Sequence, residues 1–214
     1  MIRHGILGLL TLFVFTSTLA EAQRSPSPQG QASTQVGGTW TSDGEARGVA
    51  GGQNYSGGKW IDVEYGRPIL RGRENLFGSG ADYGSTFLLG APVWRLGANK
   101  STRFKTETDL TFNGTRLPAG EYSMFAELGE SEWTLILTTH GAKESFQEDT
   151  PNALWGSYGY TPDLDALRAP MSVTTHPVAA DQLTIMFTDM TQNGGNLTIW
   201  WDNQIATAAF EVAR

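Results

Sequence analysis

The chain has 214 residues, with 26 Gly, 9 Pro and no Cys, and its 15 Lys+Arg against 22 Asp+Glu give a formal net charge of −7. Net acidity disfavours broad electrostatic binding to nucleic acid or to anionic membranes. The lack of Cys excludes disulfides, thiolate metal sites and a cysteine nucleophile.

The N-terminus predicts a secretory signal peptide at residues 1–22. Arg3 and His4 precede an apolar run from Gly5 to Phe15, and small residues follow, ending in Ala20-Glu21-Ala22. The apolar run is shorter than the ~20 residues that span a bilayer as a helix. We therefore expect cleavage after Ala22 and a secreted protein, periplasmic or extracellular, with no integral membrane segment after cleavage.

The rest of the chain divides by composition into a leader and one domain. Residues 23–58 are rich in Gly, Ser, Pro and Gln, and they contain too few large apolar residues to offset the entropy of ordering. They predict a flexible leader, with one short strand around Val36 to Thr41 in which Trp40 anchors an edge. Residues 59–214 have the size of a usual single domain.

The domain reads as all-β. Trp60 to Tyr65 alternates apolar and polar residues, which is the period of a half-buried strand. Similar segments, rich in β-branched or aromatic residues, follow at Arg103–Phe112, Glu121–Glu127, Trp133–Thr139, Met171–Thr175, Leu183–Thr188, Leu197–Trp201 and Ile205–Val212. Their spacing predicts an antiparallel β-sandwich or a jelly-roll-like barrel.

Turn signals separate these segments. Asn113-Gly114 predicts a tight turn, and Asp202-Asn203 is expected to close the final hairpin. At most one short helix is expected, near Asp163 to Arg168, where Thr161-Pro162-Asp163 resembles a cap followed by a first-turn Pro.

A long Gly/Arg loop interrupts the strand pattern between Tyr65 and Phe104. Seven Gly lie from Gly66 to Gly97, and glycine permits positive φ and close backbone approach. Residues 59–105 carry a net charge of +4, which leaves −11 for the remainder. The arginines of the loop could bind an anionic ligand through their planar forks. Alternatively, they could brace the loop against the protein's own carboxylates and carbonyls.

Several motifs resemble one family of secreted bacterial proteins, the domain of unknown function 2911. They are Arg67-Pro68, Arg71-Gly72-Arg73, Leu76-Phe77-Gly78, Val93 to Asn99, Leu117 to Phe125, Trp133 to Ile136, and the later Trp155-Gly156, Tyr158, Tyr160 and Leu167-Arg168. The resemblance extends from about Trp60 to the C-terminus. Ser79 to Pro92 is longer and richer in Gly than the corresponding family segment. The resemblance implies a secreted β-rich domain and supplies no catalytic residues.

The candidate residues for ligand binding or loop bracing come from the Gly/Arg loop. They are Arg67, Arg71, Arg73, Trp94, Arg95 and Asn99. We expect Arg95 and Asn99 to lie beside Arg71 or Arg73 in one polar cluster.

Other chemistries have weaker support in the sequence. His140 and His176 are isolated, and surface positions are expected for both, so neither a zinc site nor a catalytic triad is predicted. Asp62 and Glu64 share a strand face and could form a hydrolytic carboxylate pair or an ordinary solvated face. Adjacent Trp200 and Trp201 must point to opposite faces, and burial of both is the favoured interpretation.

Three functions remain open at this stage. The first is a non-catalytic binding module whose Gly/Arg loop and nearby aromatics bind a small-molecule, glycan or protein ligand. The second is a structural or protein-interaction domain with internally braced arginines. The third is a carboxylate-dependent hydrolase. No cofactor, metal or nucleic-acid partner is predicted.

Overall fold

The computed structural model describes residues 25–42 and 53–214. The predicted signal peptide lies outside these residues and stays a prediction. The strands are β1 (Gln29–Val36), β2 (Thr39–Thr41), β3 (Asn54–Ser56), β4 (Lys59–Gly66), β5 (Thr102–Thr106), β6 (Leu110–Phe112), β7 (Thr115–Leu117), β8 (Gly120–Glu127), β9 (Glu132–Thr138), β10 (Gly141–Ala142), β11 (Ala153–Leu154), β12 (Asp165–Thr191) and β13 (Gly194–Val212). One short helix, α1 (Ser85–Leu88), and 3₁₀ turns at Gly80–Asp82 and Pro162–Leu164 complete the fold.

Nine of the strands form one antiparallel sheet, in the order β1-β4-β5-β8-β9-β12-β13-β6-β7. The β12–β13 hairpin is long and changes register between Thr175 and Ala180 and again before Thr184, and such bulges bend a strand. The far half of β12 therefore returns to the β4 end of the sheet, where the Ile185 N–H donates to the Tyr65 hydroxyl at 2.9 Å. The sheet folds over itself into two layers, which confirms the all-β sandwich.

The main core lies between these layers and is strongly aromatic. Trp94 is 2 % exposed and stacks on Trp201 at a centroid distance of 6.0 Å, with its other side against Trp133 at 5.7 Å. Phe77 and Phe87 pack on the same rings. Since Phe77, Phe87 and Trp94 come from the Gly/Arg loop (residues 66–101), burial of these rings holds the loop onto the sheet.

A second, smaller core covers part of the opposite face of the sheet. Phe125 of β8 and Ile136 of β9 point away from the main core and pack with Val93, Leu154 and Tyr160. Residues 139–164, which contain the paired short strands β10 and β11, thus form a covering segment over β8 and β9. The same face of β1, β4 and β5 stays open to solvent.

The prediction of a flexible leader is wrong for residues 29–36. They form β1 and pair with all of β4, from Gln29 opposite Gly66 to Val36 opposite Lys59. The strand buries little apolar surface, since only Val36 is fully buried. Backbone pairing at the sheet edge therefore orders this polar segment, and composition could not reveal it. The predicted strand around Val36 to Thr41 is in fact the end of β1 followed by β2.

Three local predictions also need correction. Arg103–Phe112 is two strands, β5 and β6, and not one. Asp202-Asn203 is not a hairpin turn, because it lies inside β13, where Asp202 has φ 51° and opposes Ala180 at a bulge. The Asp202 carboxylate accepts a hydrogen bond from the Leu76 N–H at 3.3 Å. The predicted helix at Asp163–Arg168 is a single 3₁₀ turn, after which β12 begins.

Candidate functional site

The guanidinium groups of Arg67 and Arg73 brace the Gly/Arg loop. Arg73 donates to the carbonyl oxygens of Leu70 at 3.0 Å and Ile69 at 2.8 Å, and it lies 5.6 Å from the centroid of the Trp201 ring. Arg67 donates to the Leu183 carbonyl at 3.4 Å. These carbonyls belong to irregular chain and to the facing strand, so the arginines supply donors that the loop backbone lacks.

Arg95 fulfils a similar role at the other end of the loop. Its Nη1 donates to the carbonyl oxygen of Asn99 at 2.9 Å. The guanidinium packs directly over Gly156 of the covering segment, because a Cβ built on that glycine would lie 2.5 Å from the Arg95 Nη1. Burial lowers the pKa of Arg95, yet an arginine remains charged in the physiological range. Arg95 therefore joins the loop to the segment that covers β8 and β9.

The remaining candidate residues differ in exposure. Trp94 is part of the main core and has no surface for a ligand. Arg71 is exposed, and the backbone N–H of this residue, not its guanidinium, is bonded to Asp181 Oδ1 at 3.0 Å. Asn99 is exposed, with φ 66°.

The predicted single polar cluster of Arg95 and Asn99 with Arg71 or Arg73 is not supported by the contacts. Arg73 contacts Trp201, whereas Arg95 contacts Asn99 and Gly156, and the two groups share no partner in residues 25–42 and 53–214. The backbones of Gly66 and Ala98 approach closely, since a Cβ on Gly66 would lie 2.1 Å from the Ala98 oxygen. This approach places the neighbouring Asn99 at the end of β4.

Asn99 instead borders a polar cleft of about 240 Å³ between the end of β4, the turn at residues 98–101 and the covering segment. We define the polar cleft by six of its side chains, which are Gln29, Glu64, Asn99, Lys100, Arg103 and Glu144. The rest of its lining consists of Ser27, Tyr65, Gly66, Ala98 and Ser101. Three strands and two loops thus contribute to one concave surface at the edge of the open face.

The charges of the polar cleft largely cancel. Lys100 forms an ion pair with Glu144, and Arg103 contacts the other Glu144 oxygen at 3.4 Å and also pairs with Glu121. Among the described residues, Glu64 accepts one side-chain hydrogen bond, a long one of 3.4 Å from the Gln29 amide. These pairs are partly exposed, so each contributes only about 0–1 kcal/mol to stability. The cleft consequently offers fixed polar groups of both signs and no excess of either.

The carboxylates on this face are engaged by neighbouring side chains. Asp62 accepts a hydrogen bond from the Ser33 hydroxyl at 2.6 Å and lies on the open face of β4 with Glu64. Across the cleft from Glu64, both oxygens of Glu144 are engaged by cations. Glycoside hydrolysis requires two carboxyl groups that face each other across the scissile bond, and the predicted Asp62 and Glu64 pair instead lies side by side on one strand, so the hydrolase alternative stays a prediction.

The histidines are structural in their contacts. His140 is buried, contrary to the predicted surface position, and its ring nitrogens lie 3.3 Å from the Asn152 oxygen and 3.1 Å from the Thr161 oxygen. These contacts tie the two ends of the covering segment together. His176 is half-buried beside Trp200. Within the described residues, no group of three or more His, Asp or Glu is placed to hold a metal ion.

The other aromatic residues considered from the sequence differ in how far they are buried. Trp201 belongs to the main core and Trp200 is half-buried, where its Nε1 donates to the Asp202 carbonyl at 3.1 Å. In the covering segment, Tyr160 is buried and Tyr158 is 78 % exposed. Desolvation and the hydrogen bond to Asp165 raise the pKa of Tyr160 well above its usual range, so its hydroxyl is a stable donor in this core.

A family model described as "Protein of unknown function (DUF2911)" matches residues 50–210. The chain belongs to this family. The resemblance inferred from the motifs is thereby confirmed. No curated protein and no solved structure matches the chain.

The structure gives physical roles to the residues that carried the DUF2911 resemblance. In Val93 to Asn99, the tryptophan is core, the arginine is a brace and Gly97 approaches the Gly66 backbone. In Leu117 to Phe125, the Tyr122 hydroxyl donates to the Pro118 carbonyl at 2.8 Å. These motifs therefore form and hold the scaffold, and they supply Ala98 and Asn99 to the lining of the polar cleft.

The sequence did not predict most of the polar cleft. Lys100 and Arg103 belong to the basic region of residues 59–105 but to no motif, and no local pattern marks Glu144. Glu144 lies 44 residues from Lys100 in the chain and reaches it through the folding of the covering segment.

None of the helices in residues 25–42 and 53–214 is long and apolar enough to cross a membrane.

Proposed function

We propose that this DUF2911 protein is a secreted, non-catalytic binding module and that its ligand lies in the polar cleft. The Gly/Arg loop acts as scaffold in this proposal, since its arginines serve the protein's own backbone. The single observation that supports this division is the position of Asn99. Its carbonyl oxygen is used by Arg95, while its exposed side-chain amide borders the cleft.

The chemistry of the polar cleft favours an uncharged or zwitterionic ligand that carries hydroxyl groups. The amides of Gln29 and Asn99 can both donate and accept. Lys100 and Arg103 balance Glu64 and Glu144, so a strongly anionic or cationic ligand gains little net attraction. A volume of about 240 Å³ fits a compound of one or two small rings.

A thermal-shift screen of the secreted protein tests the proposal. The panel contains mono- and disaccharides, amino acids, simple anions and divalent metals. A ligand that binds only the folded state at a hundred times its Kd adds about 2.7 kcal/mol, which is about 5–11 °C in Tm for a domain of this size. We expect a neutral or zwitterionic compound to give this shift.

Two variants locate the binding site. Asn99→Gly removes the amide while keeping the backbone at φ 66° accessible, and Glu64→Gln removes a charge from the opposite wall. Both should weaken binding, whereas Arg71→Ala is the matched control because Arg71 lies outside the cleft. Loss of binding in Arg71→Ala alone would instead place the ligand on the Gly/Arg loop.

The braced arginines also favour the structural alternative. A screen in which no compound raises the Tm would favour a scaffold or a protein-interaction domain. Secretion is tested separately by mass spectrometry of the exported protein. Material that starts at Gln23 supports export with cleavage, and material that starts at Met1 contradicts it.

A further inference from the structure

Both exposed tryptophans of the described residues meet in a second concavity, at the opposite end of β4 from the polar cleft. Trp40 is 62 % exposed and Trp60 is 45 % exposed. We call this surface the aromatic cleft and define it by Gln35, Trp40, Tyr55, Trp60, Met190 and Gln192. Its volume is about 470 Å³, and none of its lining residues carries a charge.

The aromatic cleft is held in place by specific contacts. Trp40 pairs with Tyr55 across the β2–β3 ribbon, with ring centroids 5.0 Å apart. The Tyr55 hydroxyl accepts the Gly38 N–H at 2.8 Å, and the Gln192 amide donates to the Gly38 oxygen at 2.8 Å. The ribbon is thus fastened to the turn that joins β12 and β13, and the exposed rings keep a defined position.

Polar groups surround the rings without covering them. Gln35 lies opposite Trp60 in the β1–β4 register, and no hydrogen bond joins its amide to another side chain or backbone group in residues 25–42 and 53–214. The indole N–H groups of Trp40 and Trp60 likewise have no partner among these residues. Water can satisfy these exposed donors, and together with the aromatic faces they offer a surface that suits a ligand with one apolar face and one polar edge.

We propose that the aromatic cleft binds a pyranose ring of a neutral polysaccharide. A pyranose has a face of C–H groups, which carry partial positive charge and pack on the negative face of an aromatic ring. Its hydroxyl edge would meet the Gln35 amide and the indole N–H groups. The absence of charge from the lining favours a neutral polymer over an acidic polysaccharide or an anionic membrane.

This inference depends on residues that the polar cleft does not use. Trp60 and Glu64 both point to the open face of β4, and the four residue steps from one to the other span about 13 Å at ~3.3 Å per residue. Binding at the aromatic cleft can therefore be gained or lost while binding at the polar cleft is unchanged.

The test is affinity electrophoresis through gels that contain a neutral polysaccharide. The probes are hydroxyethylcellulose, xylan, galactomannan and amylopectin, each in a separate gel. We expect at least one of them to retard the protein. Trp40→Ala and Trp60→Ala should each weaken binding about tenfold or more, and Trp40→Phe should weaken it less, since an aromatic face remains.

Tyr158→Ala is the matched control, because Tyr158 is an exposed aromatic residue in the covering segment, away from the aromatic cleft. Tyr158→Ala should bind as well as the unchanged protein. The Tm of every variant should lie within about 2 °C of that of the unchanged protein, because surface substitutions usually change stability little. The inference is overturned if none of the four polymers retards the protein, or if Tyr158→Ala binds as weakly as Trp40→Ala. It is also overturned if Trp40→Ala converts a dimer to a monomer in size-exclusion chromatography. The last result would assign the aromatic cleft to a second copy of the chain.

Discussion

Replacement of Arg73 by Ala tests the bracing role of the Gly/Arg loop. The change removes hydrogen bonds to the carbonyls of Leu70 and Ile69 and a contact with the Trp201 ring. We assign about 1 kcal/mol to the half-buried bond and about 0.5 kcal/mol to the exposed one. The cation–π contact adds about 0.5 kcal/mol. The total of about 2 kcal/mol corresponds to a loss of about 4–8 °C in Tm for a domain of this size.

Arg71→Ala is the matched control for this measurement. Arg71 lies in the same turn, but the loop uses its backbone N–H and not its guanidinium, so its removal should change the unfolding free energy by less than about 0.5 kcal/mol. Both variants are measured by thermal melts and by urea denaturation. Equal losses in the two variants, or no loss in Arg73→Ala, would refute the bracing argument.

Three further substitutions follow from the same contacts. Trp94→Ala should cost about 3–5 kcal/mol by denaturant unfolding, as expected for a fully buried aromatic side chain, and an unchanged midpoint would contradict its place in the core. Gly66→Ala should destabilise by about 2 kcal/mol or more, because the new Cβ would lie 2.1 Å from the Ala98 oxygen; a stable variant would mean that the turn at residues 98–101 is free to move. Hydrogen bonds from Arg116 and from the Ala119 N–H hold the pKa of Asp109 below its usual range. The ionised Asp109 carboxylate therefore stabilises the fold fully above the unfolded-state pKa of about 3.9. This stabilisation is lost as the pH falls through the lower folded-state pKa. Asp109→Asn should therefore lower the Tm at pH 7 and approach the unchanged protein near pH 2, and a constant difference between these pH values would contradict the assignment.

The strands of the domain could be predicted where one face is buried and the other is solvated. In β4, Ile61, Val63 and Tyr65 point inward and alternate with Asp62 and Glu64, and this period is visible in the sequence. The same principle fails for β1, where nearly every residue is polar or small. That strand forms because the edge of β4 offers backbone partners for it. The composition of residues 29–36 gives no sign of this pairing.

The candidate site was harder to predict because its residues are joined only by long-range packing. Arginines and glycines in one segment suggested a shared cluster, yet Arg73 packs on Trp201 whereas Arg95 donates to the Asn99 carbonyl. The pairing of Lys100 and Arg103 with Glu144 depends on how residues 139–164 fold over β8 and β9. Such contacts have no local sequence pattern, since each partner alone resembles an ordinary solvated charge.

The open face of the sheet is where function is expected for a physical reason. The covering segment buries the outer side of β8 and β9 with its own apolar cluster, so that part of the sheet is committed to stability. On β1, β4 and β5 the outward residues carry amides, carboxylates and one exposed tryptophan, Trp60. Stability alone does not require polar residues to border two concavities, or a large ring to remain in water. Because β4 runs from the aromatic cleft to the polar cleft, the strand fixes the separation of the two surfaces, and the binding proposed for each can be tested independently by substitutions at either end.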